Sequence, residues 1–166
     1  MQNINVFEHA EEILKILSKG AFLNVAAGDD MNTMTIGWGQ LGFQWGQQTF
    51  AVMVRQTRYT KELLDKNPVF TVSIPVNDGF QKALGICGSK SGRDIDKFAA
   101  ADLETEAAQT VEAPIIKGCG LQIECKVVEV KTMEAAGVEA EVADKWYGDK
   151  NWHTYYTGVI TAAYLE

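Results

Sequence analysis

Three short apolar runs near the start of this chain constrain its fold more than any other feature. "AFLNVAAG", "TMTIGWG" and "TFAVMV" fall between Ala21 and Val54, separated by the turn-rich "DDMN" and by Gly/Gln-rich pieces. Short apolar runs bounded by Gly and Asp are strand signals. A fourth run, "VFTVSIP", alternates in the manner of a strand and follows a single short helical stretch, "YTKELLDKN", closed by Pro68. Later, "LQIECKVVEVK" alternates apolar and polar residues from Leu121 to Val127. Its phase breaks at Val127-Val128 and then resumes, as a β-bulge would require. "HTYYTGVITAAYL" reads as a long aromatic strand at the end of the chain. No regular helix separates these strands. An antiparallel barrel with peripheral helices is therefore expected, mainly β, rather than a parallel α/β sheet.

The helical signals are fewer. Val6, Ala10, Ile13, Leu14 and Leu17 recur at helical spacing, and Gly20 ends the pattern. "DGFQKALGICG" predicts a helix ended by Gly85 or Gly88, and "MEAAGVEAEVADKWYG" a loop plus a short helix. With no repeat or linker, residues 1–166 read as one domain, and 46% apolar content suffices for a core.

A formal net charge of −7 argues against a nucleic-acid or anionic-membrane role. No apolar run approaches the roughly 20 residues of a membrane span. The opening "MQNINVFEHAEEILK" lacks the basic head and continuous apolar segment of a signal peptide, so a cytoplasmic location is expected. Cys87, Cys119 and Cys125 match no zinc spacing and read as reduced, packed thiols, with no metal site.

Against this acidic background two cationic clusters stand out. From Gly20 through Val54 there is no Lys or Arg; then "VRQTRYTKELL" brings Arg55, Arg58 and Lys61 with Thr57 and Thr60 between them. Thr57 or Thr60 could cap the helix that follows. The free amides of a helix start and the forked donors of Arg suit a phosphate. The alternative is a capped helix with solvated charges. In "GSKSGRDIDKF", Lys90, Arg93 and Lys97 surround Ser89 and Ser91, and Ser91 stands at capping-box spacing from Asp94. Asp94 and Asp96 leave open an ion-paired exposed helix. Two hydroxyl-rich cationic helix starts in one acidic domain favour a phosphorylated ligand, although no Walker loop or GxGxxG is present. A third segment, "NTMTIGWGQLGFQWG", sets Thr33, Met34, Thr35, Trp38 and Trp45 among four glycines. It reads either as apolar walls and polar edges for a flat heteroaromatic ligand or as a hairpin with core tryptophans.

Together these segments resemble the flavin reductase-like family, with its FMN-binding split barrel, in the flavoredoxin-type branch. "NTMTIGWG" resembles the family's N-x-M-T-x-x-W strand, "VRQTRYTKELL" its R-x-x-R-Y-T segment and "ALGICGSKSGRDIDKF" its G-x-x-S-G-R-D-x-D-K-F stretch. "LQIECKVVEV" and "WYGDKNWHTYYTGVI" resemble its late barrel strands. Ser73 and Val159 depart from the common Asn and Glu of relatives.

The resemblance implies a homodimer with FMN at or near the subunit interface. It implies hydride transfer from NAD(P)H to the flavin or, alternatively, electron carriage by tightly held FMN to a redox-protein partner. Carried over by position, Arg55, Thr57, Arg58 and Thr60 would hold phosphate. Asn32, Thr33, Met34, Thr35 and Trp38 would line the isoalloxazine ring. Ser89, Ser91, Arg93 and Lys97 would close the groove, and His153 would sit near the flavin or nicotinamide as the candidate catalytic residue. A lone His among aromatic residues can equally be a packed core residue. Tyr59, Tyr155 and Tyr156 read as structural.

Overall fold

The computed structural model describes residues 1–166. The expected strands form β2 (Ala21–Ala27), β3 (Asp30–Ile36), β5 (Gln47–Arg55), β6 (Val69–Pro75), β9 (Gly120–Thr132) and β10 (His153–Leu165). Short β1 (Gln2–Asn3), β4 (Gly39–Gln44), β7 (Thr105–Ala107) and β8 (Pro114–Ile116) complete the set. One antiparallel sheet runs β3-β2-β6-β9-β10-β5-β4, with β1 added to β10; β7 and β8 pair separately. Its two edges, β3 and β4, are consecutive in the chain but share no hydrogen-bonded ladder. The barrel is split there. A Cβ on Gly39 would lie 3.3 Å from Leu17 Cδ2, so the first helix packs beneath the opening.

That helix, α1 (Ala10–Leu17), places Ile13 and Leu17 in the main core with Leu23, Phe50, Val52 and Phe70. Leu14, expected on its buried stripe, is 44% exposed. Gly20 follows at φ +127°, where a side chain would be strained. Residues Tyr59–Lys66 form α2 and Gln81–Ser89 form α3. The expected end of α3 at Gly85 or Gly88 is corrected, because the helix continues through both. Gly88 lies against β3, where a Cβ would stand 3.4 Å from Thr35 Cβ. Ala83 and Cys87 of α3 join Phe22, Ile116 and Cys119 in a second apolar cluster. All three cysteines are free and buried. Short α4 (Lys97–Ala100) and α5 (Ala140–Trp146) follow, the latter preceded by a 3₁₀ turn at Ala135–Gly137. No helix is long and apolar enough to cross a membrane.

The phase break in β9 is a bulge. Glu129 pairs with Thr157 and Val127 with Gly158, leaving Val128 unpaired. At Gly158 a Cβ would come within 2.7 Å of Cys125 Cβ and 2.9 Å of Phe70 Cε1, so only glycine lets these strands approach. The polar members of the β9 alternation, Gln122 and Glu124, are buried as fully as their apolar neighbours. Gln122 donates to Ile116 O, and Glu124 accepts from the amides of Gln109 and Thr110. Strand β8 and the loop before it supply these partners, although Gln122 Oε1 has none.

Candidate functional site

Strand β5 delivers Arg55 at its end, and α2 begins four residues later. The connection between them is shared by two cavities, with Arg58 lining both. The helix start differs from expectation. Its N-cap is Arg58, with no side-chain cap. Thr60 is the second residue of the helix, two past the cap position, and its buried hydroxyl instead accepts a 2.8 Å hydrogen bond from Asn32 Nδ2. Thr57 Oγ1 accepts from Asn151 Nδ2 at 2.8 Å. Lys61 N donates to Arg58 O at 3.0 Å, whereas the amides of Tyr59 and Thr60 are left without a protein partner.

The first cavity, about 210 Å³, lies over this helix start. Asn32, Thr57, Arg58, Thr60, Ser89, Ser91, Arg93 and Lys97 all line it. The 89–96 stretch arrives as a turn, not as the expected capped helix. Ser91 Oγ accepts from Arg93 N, and α4 starts later, capped by Asp96 Oδ1 on the amides of Phe98 and Ala99. The Ser91–Asp94 capping box is therefore corrected. Asp96 wins because its oxygen reaches two free amides at once. Ser89 is exposed and donates back along its own helix to Gly85 O at 2.8 Å. Gly92 allows the turn to close on the site, since a Cβ there would overlap Asn32 Oδ1 and Tyr59 Cδ1.

Four cations line this cavity, Arg58, Lys90, Arg93 and Lys97, and three of them are held in different ways. Arg93 is spent: it donates to Thr57 O, pairs with Glu62 and lies over the Tyr59 ring. Arg58 makes a single bond, Nη1 to Gly88 O at 3.1 Å. Lys97 is only 4% exposed and donates from Nζ to Cys87 O at 2.9 Å. Neither Arg58 nor Lys97 has an acidic partner. Burial lowers the Lys97 pKa to about 8, and the neighbouring Arg58 charge pushes the same way. A buried ammonium without a counter-ion is costly. An anion in the cavity would offset that cost.

The second cavity, about 230 Å³, is flatter in composition, with Met34, Thr35, Trp38 and Met53 beside Arg55, Trp146 and His153. Thr35 Oγ1 donates to Leu84 O at 2.6 Å. Trp38 and Trp146 meet edge to face, centroids 4.9 Å apart. Trp45 is 60% exposed in the β4–β5 turn and belongs neither to the core nor to either of these cavities. Asn32 faces the first cavity rather than the ring-sized one. Thr33 faces neither: it is fully buried, with its hydroxyl unpartnered. Arg55, expected to face a phosphate, donates instead to Asn151 O and Trp146 O, both at 2.9 Å, with Asp149 at 3.6 Å. It staples the 146–151 segment over the cavity.

His153 is buried, with Nδ1 2.7 Å from Tyr147 Oη. Burial, and then the charges of Arg55 and Arg58, lower its pKa to about 4. At neutral pH it is a neutral imidazole with one ring N–H, and so not an imidazolium acid.

With this geometry in place, the chain can be compared with known proteins. Residues 17–164 match the sequence model of the flavin reductase like domain. The chain belongs to that family. Among curated proteins, an uncharacterised protein of Archaeoglobus fulgidus is 28% identical over 129 residues, 77% of this chain and 72% of that one. The flavoredoxin of Methanosarcina acetivorans superposes with a TM-score of 0.69 at 28% identity, covering 89% of this chain and 68% of its own. An FMN-binding protein of Thermus thermophilus, solved with p-hydroxybenzaldehyde, gives 0.69 at 24% identity over 89% and 71%. The split barrel is the fold these flavin reductase-like domains share with this chain.

Residues that the sequence did not single out as site candidates also build the site. Trp146 and Met53 line the second cavity, Tyr147 holds His153, and Asn151 O accepts from Arg55. Three of the four lie between Trp146 and Asn151, where the sequence pattern is weakest. The aromatic cluster "KWYGDKNWH" was the available signal.

Proposed function

We propose that this chain is an FMN-binding oxidoreductase that takes hydride from NAD(P)H. The phosphate of FMN would enter the cavity over α2, held by Arg58, Lys97 and the free amides of the helix start. Asn32, Thr57, Thr60, Ser89, Ser91 and Arg93 shape that cavity. The ring would lie against Met34, Thr35, Trp38 and His153, with Arg55 holding the wall that carries Trp146. The observation that carries this reading is Lys97, a buried cation with no carboxylate, beside an Arg58 with donors to spare. When bound, FMN would supply the hydride-accepting centre; the chain's part is to bind, orient and shield it. The Thermus neighbour, named as FMN-binding, lends support.

The test uses Arg58→Ala with two ligands. A charge-assisted hydrogen bond contributes about 1.5–3 kcal/mol, or roughly tenfold to 150-fold in affinity. FMN binding is expected to weaken by that factor while riboflavin, which has no phosphate, binds as before. Equal loss for both would refute a phosphate grip. The proposed assembly is a homodimer, so light scattering is expected to give about twice 18.3 kDa.

A second reading, an FMN electron carrier serving a redox-protein partner, is favoured by the 28% identity to a flavoredoxin. Stopped-flow mixing with NADH and NADPH separates the two. Rapid bleaching of bound FMN supports the oxidoreductase; its absence with both nucleotides supports the carrier.

A further inference from the structure

Tyr147 is buried, yet the flavin reading gives it no part. Its ring stacks on Trp152 at 4.5 Å, and the Arg55 guanidinium lies 5.2 Å from its centroid. These contacts aim its hydroxyl at His153 Nδ1, 2.7 Å away, with Met133 Sδ at 3.3 Å as the only other partner. A thioether is a weak acceptor and an unprotonated imidazole nitrogen a good one. The phenol proton therefore goes to Nδ1. The tautomer of a neutral histidine is set by the bond its other nitrogen makes. With Nδ1 accepting, the proton of the imidazole sits on Nε2. That nitrogen has no partner in the protein, and the ring lines the second cavity.

We propose that Tyr147 is a positioning residue that fixes His153 as an Nε2–H donor facing the ring cavity. The ligand atom it recognises is a hydrogen-bond acceptor on the edge of a heteroaromatic ring. The tautomer stands on the protein alone; its consequence rests on the flavin reading. A donor at that edge favours the electron-rich reduced ring over the oxidised one, as fixed donors aimed at developing charge do.

The experiment begins with nitrogen-15 NMR of the histidine side chains in flavin-free protein near neutral pH. His153 is expected to show a protonated-type Nε2 and an unprotonated-type Nδ1. The reverse pattern overturns the proposal. In Tyr147→Phe, which keeps the ring stacking, the preference is expected to be lost. In Met133→Leu it is expected to persist; a change there but not in Tyr147→Phe would also overturn the proposal. With FMN bound, Tyr147→Phe is expected to lower the ratio of affinities for reduced and oxidised flavin about tenfold, about 30 mV for a two-electron couple. An unchanged potential overturns the donor role. Failure of either form to take up FMN refutes the flavin reading and leaves the tautomer result as evidence on Tyr147 itself.

Discussion

Glu124 in β9 and Lys97 at the start of α4 are both buried charges, at 0% and 4% exposure. Their surroundings differ in kind. Glu124 accepts from Gln109 N and Tyr164 Oη through one oxygen, and from Thr110 N and Oγ1 through the other, at 2.6–2.8 Å. Every lone pair has use, and the carboxylate raises the Tyr164 pKa in turn, after burial itself. Lys97 has one carbonyl and a neighbouring Arg58. The first arrangement is complete and pins a loop. The second is complete only with an anion. Burial alone thus does not mark a functional charge; the unfilled coordination does.

The difference can be broken most forcefully at Glu124. Glu124→Ala strands two amides and two hydroxyls under the loop, and is expected to cost about 3 kcal/mol or more, since each hydrogen bond to a charge counts for about 1.5–3. Urea denaturation measures it. A loss below about 1 kcal/mol would mean that water replaces the carboxylate and that Glu124 is no anchor.

Lys97→Met reverses the pattern. Stability is expected to change by less than about 1 kcal/mol, because a desolvated charge leaves with its single bond. FMN affinity is expected to fall by roughly tenfold to 150-fold, with riboflavin affinity held. Loss of stability without loss of FMN discrimination would make Lys97 a structural residue like Glu124.

Titration sharpens the same contrast. The Lys97 pKa, depressed to about 8, means that the ligand-free fold binds fewer protons there than the unfolded chain. Its own stability therefore rises with pH from about 8 towards the ordinary lysine value of 10.5. Phosphate binding has the opposite sign, because it needs the ammonium. FMN affinity is expected to fall by about tenfold, about 1.4 kcal/mol, as pH rises through this pKa. Riboflavin is expected to show no such slope in fluorescence titrations.

The smallest effect is expected at Thr60. Thr60→Ala frees Asn32 Nδ2, and about 1 kcal/mol of stability is expected to be lost. Because the hydroxyl is occupied by Asn32 rather than by the helix amides, the helix itself is expected to keep its first turn in hydrogen-exchange measurements. Selective fraying of Tyr59 to Glu62 would restore the capping role.

Six of the ten strands, the bulge at Val128 and most of the short helices were legible in the sequence because each shows in a pattern a few residues long. Alternation, turn formers and phase breaks are local. The cationic stretches and the "NTMTIGW" strand were legible too, as motifs, and they do meet around Arg58. What each side chain does there was not legible. The spacing of Ser91 and Asp94 fitted a capping box, but the turn around Gly92 delayed the helix to Asp96. Arg55 read as a ligand for phosphate and Arg93 as a residue closing the groove, yet carbonyls of Trp146, Asn151 and Thr57 occupy them. Thr33 lay in the right motif and faces neither cavity. Trp146 and Tyr147 complete the site from the segment with the weakest pattern. The sequence by itself determined which elements form and which residue types gather at the β5–α2 turn, since short-range sterics and hydrogen bonding decide both. Only the tertiary structure decided which cations are already paired and which stay open. Pairing depends on groups 30 to 100 residues away, and no local pattern encodes their distance.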